Sequence, residues 1–211
     1  MAGRFITLEG IEGAGKSTVA RFVREWLTER GLAVVATREP GGTPLAERVR
    51  HLVLDRGGEP VTPVVETLLM FASRGIHLNN LIRPALARGE WVVCDRFTDA
   101  TRAYQGAGRG VNREWIEQLA NAVHGDLQPD RTLLLDLPVA VGQARARQRS
   151  GAAPTDRFEE EPEVFFERVR GEYLRLAKAE PRRFRVLDAS VSLPQVEKQI
   201  GPALEDLLGS T

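Results

Sequence analysis

RFITLEGIEGAGKST, from Arg4 to Thr18, joins a short apolar run to a glycine-rich turn and then to an amphipathic run. Phe5, Ile6 and Leu8, with β-branched Ile6 and Thr7, read as a buried strand. The turn, Gly10-Ile11-Glu12-Gly13-Ala14-Gly15-Lys16-Ser17, fits GxxxxGK[ST], the spacing of a phosphate-binding loop. Glycines let the backbone bend until successive N–H groups face an anion, and the following helix adds its positive end. Lys16 then reaches the outer phosphates of a nucleoside triphosphate, and the Ser17 hydroxyl is the expected magnesium ligand. Lys16 is also the only lysine before Lys178 in a chain that otherwise uses arginine, so lysine stands where a compact ammonium is wanted.

Outward from this loop, short apolar segments alternate with amphipathic ones. Strands are expected at Leu32–Ala36, Trp91–Asp95, Arg131–Asp136 and Phe184–Leu187. Helices are expected at Thr18–Arg30, from Thr43 onward with Leu45, Val49, Leu52 and Val53 inward, and from Thr62-Pro63 to Arg88 with a break at Gly75. More follow at Asn112–His124, Val139–Arg149, Pro162–Ala179 and Leu193–Leu208, while Arg96–Arg113 reads as a polar segment. Wholly apolar strands between helices indicate a parallel sheet covered on both faces. Ligands bind such sheets beyond the carboxyl ends of the strands, which gathers Gly10–Lys16, Arg38–Thr43 and Asp95–Gln105 at one edge.

The 29 basic and 29 acidic residues cancel, leaving no global field to hold nucleic acid or an anionic membrane. No apolar run reaches the ~18 residues of a membrane span, and no secretory signal opens the chain. Cys94 is the sole cysteine and sits in the run Trp91-Val92-Val93-Cys94, so a buried inert thiol in a reducing cytoplasm is expected.

Asp95 ends an apolar run, so its carboxylate should emerge near the phosphates and share the magnesium with Ser17; Asp136 ends a similar run and is the rival. Arg38, Arg50, Arg74 and Arg96 flank segments leading to the same edge, where bidentate guanidinium suits a phosphate monoester. Each taken singly also fits a solvated surface arginine. Arg145, Arg147, Arg149 and Arg157 surround the small-residue loop Ser150–Pro154. They read either as a solvated basic helix end or as a mobile lid that lays charge on a transferring phosphoryl group. Phe71, three residues before Arg74, fits core packing or an aromatic wall. Thr101, Tyr104 and Gln105 can read a base edge. His51, His77 and His124 show no metal spacing.

Together FITLEGIEGAGKST, TREPGGT, Asp95-Arg96-Phe97, AYQGAGRG and RARQRSGAAPTDRFEEE resemble the bacterial thymidylate kinases, nucleoside-monophosphate kinases of the P-loop class, over nearly the whole chain. The resemblance implies an α/β, three-layer P-loop NTPase fold in a single domain over 1–211: a five-stranded parallel sheet flanked by helices, with a short lid at about 145–160. It implies γ-phosphoryl transfer from ATP to dTMP, with Mg2+. Gly10 to Thr18 would bind ATP, and Glu12 would face the 3′-hydroxyl of the deoxynucleotide. Arg38, Pro40, Arg50, Arg74 and Arg96 would surround dTMP, Arg50, Arg74 and Arg96 on its phosphate. Phe71 would stack on thymine, Thr101 and Gln105 would contact the base, and Tyr104 would line the sugar. Because Ile11, Glu12, Gly13 and Ala14 are not basic, Arg145, Arg147, Arg149 and Arg157 would supply the catalytic cation together with Lys16 and Arg96. Ala100 and Phe97 depart from the family's usual residues. A homodimer packed through helices beside the phosphate-loop helix is also implied. A kinase for another small acceptor, or a nucleotide-driven switch, are the competing readings.

Overall fold

The computed structural model describes residues 3–55, 57, 59–150, 157, 158 and 160–209, without the side chains of 149 and 150. Five strands, β1 (Phe5–Glu9), β2 (Val34–Arg38), β3 (Trp91–Asp95), β4 (Arg131–Asp136) and β5 (Phe184–Asp188), form one all-parallel sheet in the order β2-β3-β1-β4-β5. Every residue of β1 is buried, as a strand covered on both faces requires. The helices are α1 (Lys16–Thr28), α2 (Pro44–Leu54), α3 (Pro63–His77), α4 (Arg83–Ala87), α5 (Thr98–Thr101), α6 (Arg113–His124), α7 (Val139–Ser150), α8 (Glu163–Ala179) and α9 (Leu193–Leu208). Ile6, Leu8, Val93, Leu133 and Leu135 of the sheet join Val19, Val23 and Leu27 of α1 and Phe165, Phe166 and Tyr173 of α8 in the main core.

Several boundaries differ from the sequence reading, each for a local reason. Helix α1 starts at Lys16 because Gly15 takes a left-handed conformation, φ 88°, that turns the loop directly into the helix. Strand β2 begins at Val34, two residues late, since Gly31 (φ 78°) closes the helix and the Leu32 N–H bonds back to the Leu27 carbonyl, a glycine-terminated helix end. Helix α3 passes through Gly75 without a break and widens only at a π-helical turn, Leu78–Ile82. Arg96–Arg113 is not an irregular polar segment: α5 runs into a second π-helical stretch, Arg102–Gly108, whose Ala103, Tyr104 and Gly108 are buried. Thr62 caps α3, accepting from the Val65 N–H, whereas Thr43 makes no cap bond and its buried hydroxyl lacks a partner. On α2, Val53 is buried but Leu45 and Leu52 face solvent.

Candidate active site

The phosphate loop hangs from the central strand. Gly10 (φ 141°) and Gly13 (φ 74°) allow its close turns: a Cβ on Gly10 would lie 2.6 Å from the Leu135 carbonyl oxygen, and one on Gly13 would collide with that of Gly142. Lys16 Nζ donates to the Gly10 and Ile11 carbonyls at 3.0 and 2.8 Å. Burial depresses the Lys16 ammonium to about 8, with Arg96 adding and Asp95 and Glu12 opposing. Ser17 Oγ donates to Asp95 Oδ2 at 3.1 Å. Two hard oxygen donors at one point fit a magnesium that keeps phosphate oxygens and water in the rest of its shell. Asp136, the rival carboxylate, is paired with Arg170.

A cleft of about 440 Å³ opens over this loop, within the range of small-molecule sites. Glu12, Gly13, Gly15, Lys16, Ser17 and Thr18 line it, while Gly10, Ile11 and Ala14 of the same loop do not. Arg38, Pro40, Arg50, Arg74 and Arg96 line the same cleft, as do Thr101, Tyr104 and Gln105. Arg38 is braced by both oxygens of Glu47, and Arg50 Nη1 donates to the Pro40 carbonyl.

Arg96 has φ 71°, costly for a non-glycine residue and held only where its surroundings over-determine it. Its own N–H bonds to Leu8 O, the next N–H, of Phe97, donates to Glu9 Oε1, and Tyr173 donates to Glu9 Oε2. Burial, with Asp99 nearby, pushes the Glu9 carboxyl up to about 8. The Arg96 side chain donates to Glu12 at 2.7 Å and to the Tyr104 oxygen, whose hydroxyl donates to Glu12 at 2.6 Å. Burial alone would raise the Glu12 carboxyl, but Arg96, Lys16 and Tyr104 hold it below its ordinary value.

Not every expected position lines the cleft. Phe71 is 2% exposed and packs with Ile116 and Ala120 instead of lining the cleft; one residue earlier on the same helix, Met70 lines it with Leu54. A step of one residue turns a side chain by about 100° around a helix, so the two cannot share a face. Arg157 is tied to Glu66 on α3 and is not a cleft residue. Arg145 does line the cleft, but it donates to the carbonyls of Ala189 and Ser190 at 2.6 and 3.0 Å, and its helix packs on the phosphate loop where Gly142 and Ala146 meet Gly13. Arg147 is exposed on α7, the Arg149 side chain lies outside the described residues, and so do 151–156 and 159 of the expected lid.

Sequence reading missed the glutamates that organise these cations. Glu39 bridges Arg74 Nε (2.7 Å) and His77 Nδ1 (3.1 Å), and His77 Nε2 lies 2.7 Å from Thr37 Oγ1. Arg74 Nη2 donates to Phe97 O and Thr101 Oγ1. The only sequence signal for Glu39 was its place beside Arg38 in the turn; His77 had only its i+3 spacing from Arg74. Cys94 is buried, and burial pushes its thiol well up, as an inert core cysteine should be.

A family model for thymidylate kinase matches residues 8–200. The chain belongs to the thymidylate kinase family. It is 56% identical over 208 residues to a thymidylate kinase of Ectopseudomonas mendocina (strain ymp), covering 99% of this chain and 98% of that one. A thymidylate kinase of Teredinibacter turnerae is 54% identical over 99% of this chain and all of its own length. The crystal structure of thymidylate kinase from Ehrlichia chaffeensis superposes with a TM-score of 0.78 at 34% identity, covering 97% of this chain and 99% of that one. As a member of the thymidylate kinase family, the chain is a kinase that phosphorylates dTMP to dTDP with ATP as donor, in deoxynucleotide biosynthesis.

Proposed function

We propose that the two walls of this cleft are the two substrate sites of that reaction, ATP on the loop Gly10–Thr18 and dTMP between β2, α3 and the Arg102–Gly108 turn. The observation that carries this assignment is that one cleft is lined both by the phosphate loop and by Arg50, Arg74 and Arg96. Phosphoryl transfer needs two phosphates held in line, charge neutralised and water excluded, with little covalent help. Lys16 supplies the donor-side cation. Arg96 is the acceptor-phosphate clamp, preset by its backbone, and Glu12 with Tyr104 orients it and faces the sugar. Arg145 holds the donor nucleotide, and Met70 takes the place against the base that the family resemblance gives to Phe71.

Ser17 and Asp95 would hold Mg2+, which when bound neutralises the donor phosphates. A homodimer fits the exposed apolar side chains Leu45 and Leu52 on α2 and Val64, Val65 and Leu68 on the neighbouring α3, and light scattering of the purified protein tests it. Among the described residues no helix is long and apolar enough to cross a membrane; a cytoplasmic site of action fits the single buried thiol, and cell fractionation tests it.

The deciding assay is ADP release from Mg·ATP with dTMP, dUMP, dCMP, dGMP and AMP offered separately. Strong stimulation by dTMP, lost in Arg96→Met, is the expected result. Stimulation by dTMP that survives Arg96→Met unchanged would sink the acceptor-wall assignment.

A further inference from the structure

Glu66 on α3 is 1% exposed, yet three donors converge on it. Gln105 Nε2 donates to its Oε1 at 2.7 Å, Arg109 Nε shares that oxygen at 3.0 Å, and Arg157 takes Oε2. A carboxylate clamped by two guanidinium groups only accepts hydrogen bonds, so the Gln105 amide must turn its nitrogen toward it. The amide oxygen is then the atom left for the cleft, which Gln105 lines. Arg74 lines the same wall, and with Nε on Glu39 and Nη2 on Phe97 and Thr101, its buried Nη1 lacks a hydrogen-bond partner.

The wall therefore offers an acceptor, Gln105 Oε1, and beside it a donor, Arg74 Nη1, which puts Arg74 on the base and not on the phosphate that the family resemblance gives it. A pyrimidine edge with N3–H beside a C4 carbonyl meets that pair with opposite polarity at both atoms. Cytosine, with a bare N3 beside a C4 amino group, meets it with like polarity at both, leaving buried polar groups unpaired.

We propose that Glu66 is a specificity-positioning residue, which fixes the Gln105 amide so that the acceptor site reads an imide edge and rejects a 4-aminopyrimidine. The inference rests on dTMP binding at this wall. Uracil carries the same imide edge as thymine, so Glu66 should act on the dTMP/dCMP ratio and leave the dTMP/dUMP ratio alone.

The test is kcat/KM of the full chain and of Glu66→Gln with dTMP, dUMP and dCMP at saturating Mg·ATP. A glutamine at 66 can donate as well as accept, which frees the Gln105 amide to turn. The expected result is a fall of at least about tenfold in the dTMP/dCMP ratio with an unchanged dTMP/dUMP ratio. Parallel losses on all three acceptors would make Glu66 merely structural and overturn the inference. A wild type that uses dCMP as well as dTMP would instead overturn the acceptor assignment beneath it. If Glu66→Gln does not fold, the wild-type protein still answers through the Gln105 side-chain 15N–1H resonances, assigned by their loss in Gln105→Leu. Amide protons that stay downfield and slow to exchange with water, with or without dTMP, support the assignment; protons that move to a new hydrogen-bonded position on dTMP binding overturn it.

Discussion

Ser17 Oγ donates to Asp95 Oδ2 across 3.1 Å, joining the first turn of α1 to the carboxyl end of β3. Residues 78 apart in sequence thus place two oxygens at one point beside the phosphate loop. Ser17→Ala and Asp95→Asn should each lower kcat by about 10²-fold and raise the Mg2+ concentration needed for half-maximal rate. Chelation by EDTA should abolish turnover of the wild type. A magnesium titration of initial rates checks all three, and an unchanged titration curve in both variants would remove these residues from the ion.

Lys16 begins the helix behind the phosphate loop, with its ammonium brought down by burial to about 8. The charged form is the one that neutralises phosphate, so kcat/KM for ATP should decline as pH rises through about 8, since this parameter reports the free enzyme. Lys16→Ala should lose about 3–4 kcal/mol of transition-state stabilisation and lose that alkaline limb. A pH-rate series on both proteins reads the two effects together.

Arg145 bonds the Ala189 and Ser190 carbonyls from α7, the helix that packs on the phosphate loop at Gly13. Arg145→Met should therefore raise KM for ATP several-fold with kcat within about twofold, the pattern of lost uniform binding. A large fall in kcat at unchanged KM would return it to the transition state.

Met70 and Phe71 separate cleft from core. Phe71→Ala should cost about 3–5 kcal/mol of stability through the space left against Ile116 and Ala120, seen as a lower midpoint in urea. Met70→Ala should leave that midpoint nearly unchanged and raise KM for dTMP about tenfold, the loss expected when one apolar side chain leaves the wall.

Glu9 carries a carboxyl raised to about 8 in the folded chain, against an ordinary value of 4.5. The folded state binds the proton more tightly, so this group's contribution to stability is full below the ordinary value and is lost as pH rises through about 8. Glu9→Gln, a stand-in for the protonated form, should gain stability relative to wild type on going from about pH 5 to 9. Thermal melts across that range give the answer.

Much of this arrangement was legible in the chain alone because strand and loop chemistry are local. Phe5–Leu8 and Trp91–Cys94 are short, mainly apolar runs, and the loop between Gly10 and Ser17 has its own spacing, so the segments that follow these strands could be assigned to one sheet edge. What escaped were relations between elements. Whether Phe71 or Met70 faces the cleft depends on the rotation of α3 against α6, which an amphipathic pattern leaves open when both neighbours are apolar. Glu39 and Glu66 look like ordinary polar residues until the fold buries them against arginines, as does His77 until the fold buries it against Glu39. The Arg102–Gly108 turn hid because π-helical spacing matches neither the 3.6 nor the 2.0 repeat.

The strand order gives the two walls unequal mechanical standing. The phosphate loop continues β1, which is hydrogen-bonded on both sides, by β3 and by β4. The acceptor turn Arg38–Pro40 continues β2, an edge strand bonded only to β3. Local opening begins where fewer backbone bonds must break, so amide exchange should be faster along β2 than along β1. With the substrates placed as proposed, the acceptor wall can loosen to pass one nucleotide while the donor loop, clamped in the middle of the sheet, keeps its shape.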